Sequence, residues 1–153
     1  MTQVADRIGG LLGKLQSTDY FEREAAVKEL GSCSEDEAVA GLVIAIEDPD
    51  LGIRELAADQ LTRIKGPTVS QLLVRFLAHE DIGVRNLASE ILVKNGSESV
   101  EALIADSEND DHDVRKFICD ILGLIGDGRG VAASLAMGCI GAWIGTKLLA
   151  YIP

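Results

Sequence analysis

Four arginines recur along this chain at an almost constant interval: Arg23, Arg54, Arg85 and Arg115, separated by 31, 31 and 30 residues. Four residues before each stands an aspartate: Asp19, Asp50, Asp81 and Asp111. Three residues after each come Ala26, Ala57, Ala88 and Ile118, and seven after come Leu30, Leu61, Leu92 and Leu122. A β-branched residue precedes three of the arginines: Ile53, Val84 and Val114. A period held at so many positions is the mark of stacked repeats.

The unit inside the period is a pair of helices. In the second unit Ile53, Leu56, Ala57, Leu61 and Ile64 follow the rhythm of one buried helix face. Lys65, Gly66 and Pro67 stop that helix, and Pro67 suits the first turn of the next, where its missing N–H costs nothing. Val69, Leu72, Leu73, Phe76 and Leu77 follow. The third unit repeats the plan with Val84, Leu87, Ala88, Ile91 and Leu92, a stop at Asn95-Gly96, then Val100, Leu103 and Ile104. In the first unit Ser34, with Glu37 three residues on, has the spacing of a capping box. The expected helices lie near 3–16, 20–31, 36–47, 51–64, 68–78, 82–94, 98–106 and 112–125. One such hairpin cannot bury its apolar stripe alone, but stacked neighbours can. The expected fold is therefore all-α, an α-solenoid of about four helical hairpins.

Composition limits the partners. Lys plus Arg is 14 against 25 Asp plus Glu, a net charge of −11, so no nucleic acid is expected to bind. The acidic excess favours a basic protein surface. Residues 1–17 read as an amphipathic capping helix with Val4, Ile8, Leu11, Leu12 and Leu15 on one face. The stretch has no unbroken apolar run, so it is not read as a signal peptide and the repeats are expected in the cytoplasm. Cys33, Cys119 and Cys139 are odd in number and widely spaced, which reads as reduced thiols.

Two segments carry a family resemblance. Residues 48–58, Asp-Pro-Asp-Leu-Gly-Ile-Arg-Glu-Leu-Ala-Ala, look like the opening of a HEAT repeat. Residues 122–131, Leu-Gly-Leu-Ile-Gly-Asp-Gly-Arg-Gly-Val, resemble the inter-helix signature of the short HEAT-like subgroup first associated with phycobilisome lyases. The resemblance spans about residues 18–131. It implies the solenoid fold, and a function anywhere between bilin lyase subunit and scaffold or assembly factor without chemistry.

No constellation supports an enzyme: no catalytic, cofactor-binding or metal-binding residue is assigned. The Asp–Arg ladder (Asp19, Arg23, Asp50, Arg54, Asp81, Arg85, Asp111, Arg115) is read as structural. The Asp caps a helix start, and the Arg bonds that Asp or its counterpart in the next repeat. His79 and His112 fall in inter-repeat loops at nearly equivalent places and read as surface residues. The acidic run at 106–113 lacks the glycine of a calcium loop. No phosphate loop or nucleophile elbow is present.

From Gly130 onward the composition changes, and Lys147 is the only charged side chain of the last 24 residues. Three readings compete: a transmembrane helix, a helix buried against a partner or a second copy, or an altered gene product. The first fits by length, since Val131 to Ile152 as a helix spans about 33 Å against a hydrocarbon core of roughly 30 Å. Ser134, Gly138, Gly141, Ala142 and Gly145 form a small-residue seam for helix packing, with Trp143 and Tyr151 towards an interface. Many glycines make a lone span marginal, which favours packing among other membrane helices.

The domain reading is thus a repeat domain at 1–129, with a capping helix at 1–17 and repeats at about 18–47, 48–78, 79–109 and 110–129, then a hydrophobic helix at 130–153. The functional expectation is a non-catalytic scaffold, or an accessory or assembly subunit, docked through that helix on a membrane protein complex with a basic cytoplasmic surface. The alternative is a soluble chromophore-lyase-like or chaperone-like subunit whose apolar tail is buried against a partner. Gln71, Arg75 and Glu101 are expected on the concave surface.

Overall fold

A computed structural model of the protein describes residues 2–136. Among these residues every regular element is a helix: α1 (Thr2–Lys14), α2 (Tyr20–Leu30), α3 (Asp36–Ala45), α4 (Leu51–Ile64), α5 (Pro67–Leu73), α6 (Ile82–Asn95), α7 (Val100–Ala105), α8 (His112–Ile125) and α9 (Gly128–Ala136). The positions that set the repeat are the positions that fold it. Ala26, Ala57, Ala88 and Ile118 are buried, as are Leu30, Leu61, Leu92 and Leu122. Removing one of these leucine side chains to Ala is worth about 2–5 kcal/mol in such cores.

Two second helices differ from the expected continuous form. α5 tightens into a 3-10 helix at Val74–Ala78, and α7 is preceded by a 3-10 turn at Gly96–Ser99. Ser99 ties that turn down, its buried hydroxyl donating to the Leu92 carbonyl at 2.8 Å. The turn consumes residues at three per revolution, so α7 is short. Ile104, expected in the core, is 36% exposed.

The chain divides into two compact units, the first ending at Leu72 and the second starting at Leu73. In the first, α2 packs on α1, α3 and α4, and α3 also packs on α4 and α1. The approach of α3 to its neighbours is close at Gly41, where an added Cβ would meet Leu12 Cδ2 at 2.5 Å and Leu30 Cδ1 at 3.2 Å. The capping box expected at Ser34 does not form. Backbone bonds from Ser32 and Cys33 back to Glu29 and Leu30 round off α2. Glu35 then becomes the extended residue that opens α3, without a side-chain cap.

In the second unit α6 packs on the 3-10 segments and α8, while α8 packs on α7 and α9. Gly96 and Gly126 end α6 and α8 with φ of 67° and 69°, a left-handed geometry that glycine adopts without strain. α9 starts at Gly128 and packs on α8 and α7, with Gly130 buried against Leu122. Cys33 is a free thiol, but Cys119 is disulfide-bonded, against the expectation of reduced thiols throughout.

Among the described residues no helix is long and apolar enough to cross a membrane. Ser134 lies in α9. Gly138, Gly141, Ala142, Trp143 and Gly145, and most of the expected span, lie outside the described residues.

Candidate interaction surfaces

The ladder draws in more of each inter-repeat loop than the sequence reading assigned to it. Each ladder aspartate is an N-cap: Asp19, Asp50, Asp81 and Asp111 accept from the N–H of Phe21, Gly52, Gly83 and Asp113 at 2.7–2.9 Å. Three of the arginines turn back to the loop that precedes their own helix. They reach the residue six places before themselves, at the start of the inter-repeat loop. Arg23 donates to the Ser17 carbonyl at 3.0 Å, Arg54 to the Asp48 carbonyl, and Arg115 to the Asn109 carbonyl at 2.7 Å. The side chain of that same residue accepts from the N–H of the capping aspartate in all four repeats. The acceptors are Ser17 Oγ, Asp48 Oδ1, His79 Nδ1 and Asn109 Oδ1, at 2.8–3.1 Å. Each inter-repeat loop is therefore closed by two successive side-chain caps.

Asp48 does the most. Its carboxylate also takes a two-pronged bond from Arg23, Nε to Oδ2 at 2.8 Å and Nη2 to Oδ1 at 3.2 Å. Both side chains are largely buried, 12% and 7% exposed. One residue thus holds the arginine of the preceding repeat by its carboxylate and that of its own repeat by its carbonyl. The sequence reading missed Asp48, although the signal was there: Ser17, Asp48, His79 and Asn109 each put a side-chain acceptor six residues before a ladder arginine.

The third repeat departs from the pattern. Arg85 Nε is buried without a hydrogen-bond partner, and its guanidinium lies over the Phe117 ring, 5.9 Å from the centroid. His79 stacks on Phe76 and sits six residues before Arg85, whereas exposed His112 sits three before Arg115, so the two are not equivalent. Among the described residues no three His, Cys, Asp or Glu side chains are placed to hold a metal. Asp127 is held below the usual carboxylate range, chiefly by the backbone N–H of Arg129 at 2.9 Å and further by that residue's guanidinium.

Each unit carries an open groove of its own. In the second unit a groove of about 380 Å3 runs between α6 and α8. Its floor is Val93, Phe117, Ile121 and Leu124, and its rim holds Asp120 and the Glu90–Lys94 pair at 2.6 Å. Leu124 is 67% exposed while its neighbour Leu122 is fully buried. In the first unit a groove of about 500 Å3 lies along α1 and the start of α3. Val4, Ile8, Gly9 and Leu12 form its apolar side, and Glu35 and Glu37 border it. Gly9, Gly10 and Gly13 leave open space where a Cβ would be, unlike Gly41. Each costs α1 about 1 kcal/mol relative to alanine with no internal packing in return. Gln71, Arg75 and Glu101 are exposed, and Arg75 lies over the ring of its own neighbour Phe76.

The period, the paired helices and the repeated loop closure can be set against known proteins. The family model for HEAT repeats matches residues 9–93, more than half of the chain. The chain belongs to the HEAT-repeat family. No curated protein matches it. Among solved structures it is similar to an engineered protein at 20% identity, with a TM-score of 0.46, covering 86% of this chain and 68% of that one. It is also similar to the complex of CpcE and CpcF of phycocyanin lyase from Nostoc sp. PCC7120, at 21% identity and a TM-score of 0.47, covering 85% of this chain and 63% of that one. A further engineered protein gives 20% identity and a TM-score of 0.42, covering 86% of this chain and 41% of that one. The chain therefore spans less than two thirds of the phycocyanin lyase chain and of the second engineered chain.

Proposed function

We propose that this HEAT-repeat chain is a non-catalytic protein-interaction module that seats a partner in the groove between α6 and α8. Its apolar C-terminal stretch then attaches it to a membrane protein complex on the cytoplasmic side. The observation that carries the reading is Leu124, a large aliphatic side chain left two-thirds exposed beside Phe117 in a rimmed depression. An apolar centre with a charged rim is the composition of a protein interface. The fitting anchor is an aliphatic or aromatic side chain of the partner. The net charge of −11 favours a partner that is basic around that anchor. Gln71, Arg75 and Glu101 are proposed as further contacts.

The test is recovery of the full-length chain in mild detergent, with the co-purifying proteins measured for the native sequence and for Leu124→Lys. Loss of a stoichiometric partner, with helical content unchanged, supports the reading. The same partners at the same stoichiometry, or a coloured tetrapyrrole adduct carried by the chain itself, opposes it.

Membrane attachment is supported by the composition of residues 130–153, where Lys147 is the only charge. The native chain is expected to stay with membranes through carbonate extraction. Release into the soluble fraction would leave burial of the stretch against a protein partner as its role.

A further inference from the structure

We propose that Cys119 and Cys139 form a redox latch on the apolar C-terminal stretch. While the disulfide between them holds, the stretch is too short to cross a bilayer, and reduction frees enough of it to do so. The inference rests on the membrane attachment proposed above and gives it a chemical control.

The pairing follows by elimination. Cys119 is disulfide-bonded and Cys33 is a free thiol. Cys139 is the third and last cysteine of the chain. The packing of α9 agrees. Cys119 is buried on α8, 4% exposed, and Leu122 stands about one turn further along the same face. Gly130 of α9 is buried against that same Leu122. α9 therefore starts out over the face of α8 that carries Cys119. From Gly130 the chain can reach about 14 Å to Cys139 as a helix and about 30 Å if extended, while Cys119 lies roughly 4.5 Å from Leu122 along α8.

The latch acts through length. A helix from Val131 to Ile152 spans about 33 Å, enough for a hydrocarbon core of roughly 30 Å. With Cys139 bonded to α8, only Ile140 to Ile152 is left to span, about 20 Å as a helix. α8 cannot follow Cys139 into lipid, because it carries Asp113, Arg115, Lys116 and Asp120. Once the bond opens, little else holds α9 in place. Its sequence is mostly glycine, alanine and serine, which bury little apolar area against α8 and α7.

The reaction is thiol–disulfide exchange with a dithiol. One thiolate of the dithiol attacks a sulfur of the pair, and its second thiolate resolves the mixed disulfide. Two electrons and two protons pass to the pair, which becomes two thiols, and the dithiol leaves as its own disulfide. Cytoplasmic dithiols keep the latch open, and the oxidised form of a dithiol closes it by the reverse exchange. At 100° per residue Cys119 lies on the opposite side of α8 from Phe117, Ile121 and Leu124, so the latch does not touch the α6–α8 groove.

Flotation of the air-oxidised full-length chain with phosphatidylcholine vesicles, before and after dithiothreitol, tests this. Peptide mapping of the untreated native chain is expected to find Cys119 linked to Cys139 and Cys33 free. The native chain is expected to float at least tenfold more after dithiothreitol. Cys139→Ala, and separately Cys119→Ala, are expected to float without it, and Cys33→Ala to behave as the native chain. Cys139→Ala carries the test if the buried Cys119→Ala change lowers the helical content. A native chain that floats equally in both states overturns the latch alone. A bond to Cys33, or a Cys139→Ala chain that still needs the dithiol, overturns it as well. If no sequence floats in either state, the membrane attachment itself fails and the latch falls with it.

Discussion

The loop that joins the first two repeats and the loop that joins the last two begin from the same pattern and end differently. Arg23 finds a carboxylate in the next repeat, Asp48, and takes it with two bonds while also holding the Ser17 carbonyl. Arg85 finds Asn109 at the corresponding place, a neutral amide already engaged with Asp106 and with the Asp111 N–H. Phe117 stands two residues after Arg115, where the earlier repeats have Ala25, Leu56 and Leu87, and Arg85 turns over its ring. The repeat period therefore guarantees the helices but not the strength of the joint between them. With Asp48 in the loop the joint is a charged pair; with Asn109 there and Phe117 beside it, the joint is a stacked contact.

Substitutions at the two joints should separate them. Arg23→Ala strands the largely buried Asp48 carboxylate and should cost about 3–5 kcal/mol in chemical denaturation. A cost under about 1 kcal/mol would mean that the pair is no more than a surface salt bridge. His79→Leu removes the imidazole acceptor of the Asp81 N–H and should cost about 1 kcal/mol, whereas His79→Asn restores the acceptor that Asn109 supplies in the fourth repeat and should cost little. Equal losses for the two would show that the ring contributes by stacking on Phe76 rather than by capping. Asp127→Asn probes the start of α9. Because the native carboxyl titrates below its ordinary value, its contribution is complete above about pH 4 and fades as acid protonates it. Amide exchange at the α9 start, corrected for its intrinsic pH dependence, should thus show added opening below that pH in the native chain and not in the variant. Arg85→Met should change stability least. It loses a cation–π contact of about 0.5–1 kcal/mol but relieves a buried N–H that has no acceptor.

Much of the fold was legible because repetition multiplies weak signals. α4 and α8 have their expected limits, since Asp50 and Asp111 cap one end and Lys65-Gly66 and Gly126 stop the other. Less legible were the features that depend on one side chain meeting another across the loop. Ser34 had the spacing of a capping box, but the rounding-off of α2 by Ser32 and Cys33 moved the start of α3 past it. The arginines were expected on their capping aspartate or its counterpart in the next repeat, and no helix pattern announces the carbonyl six residues back to which Arg54 donates. The grooves escaped the sequence reading because the exposure of Leu124 and Val4 is set by how the helices pack rather than by their spacing along the chain.

The central claim is that this HEAT-repeat chain acts by holding a protein on the groove between α6 and α8. Its most direct test is the stoichiometry of proteins recovered with the native chain and with Leu124→Lys, a surface change expected to alter stability by no more than about 0.5 kcal/mol. The account predicts a partner at fixed stoichiometry with the native chain and at least a tenfold reduction with the variant. An equal yield of the same partner from both would contradict it.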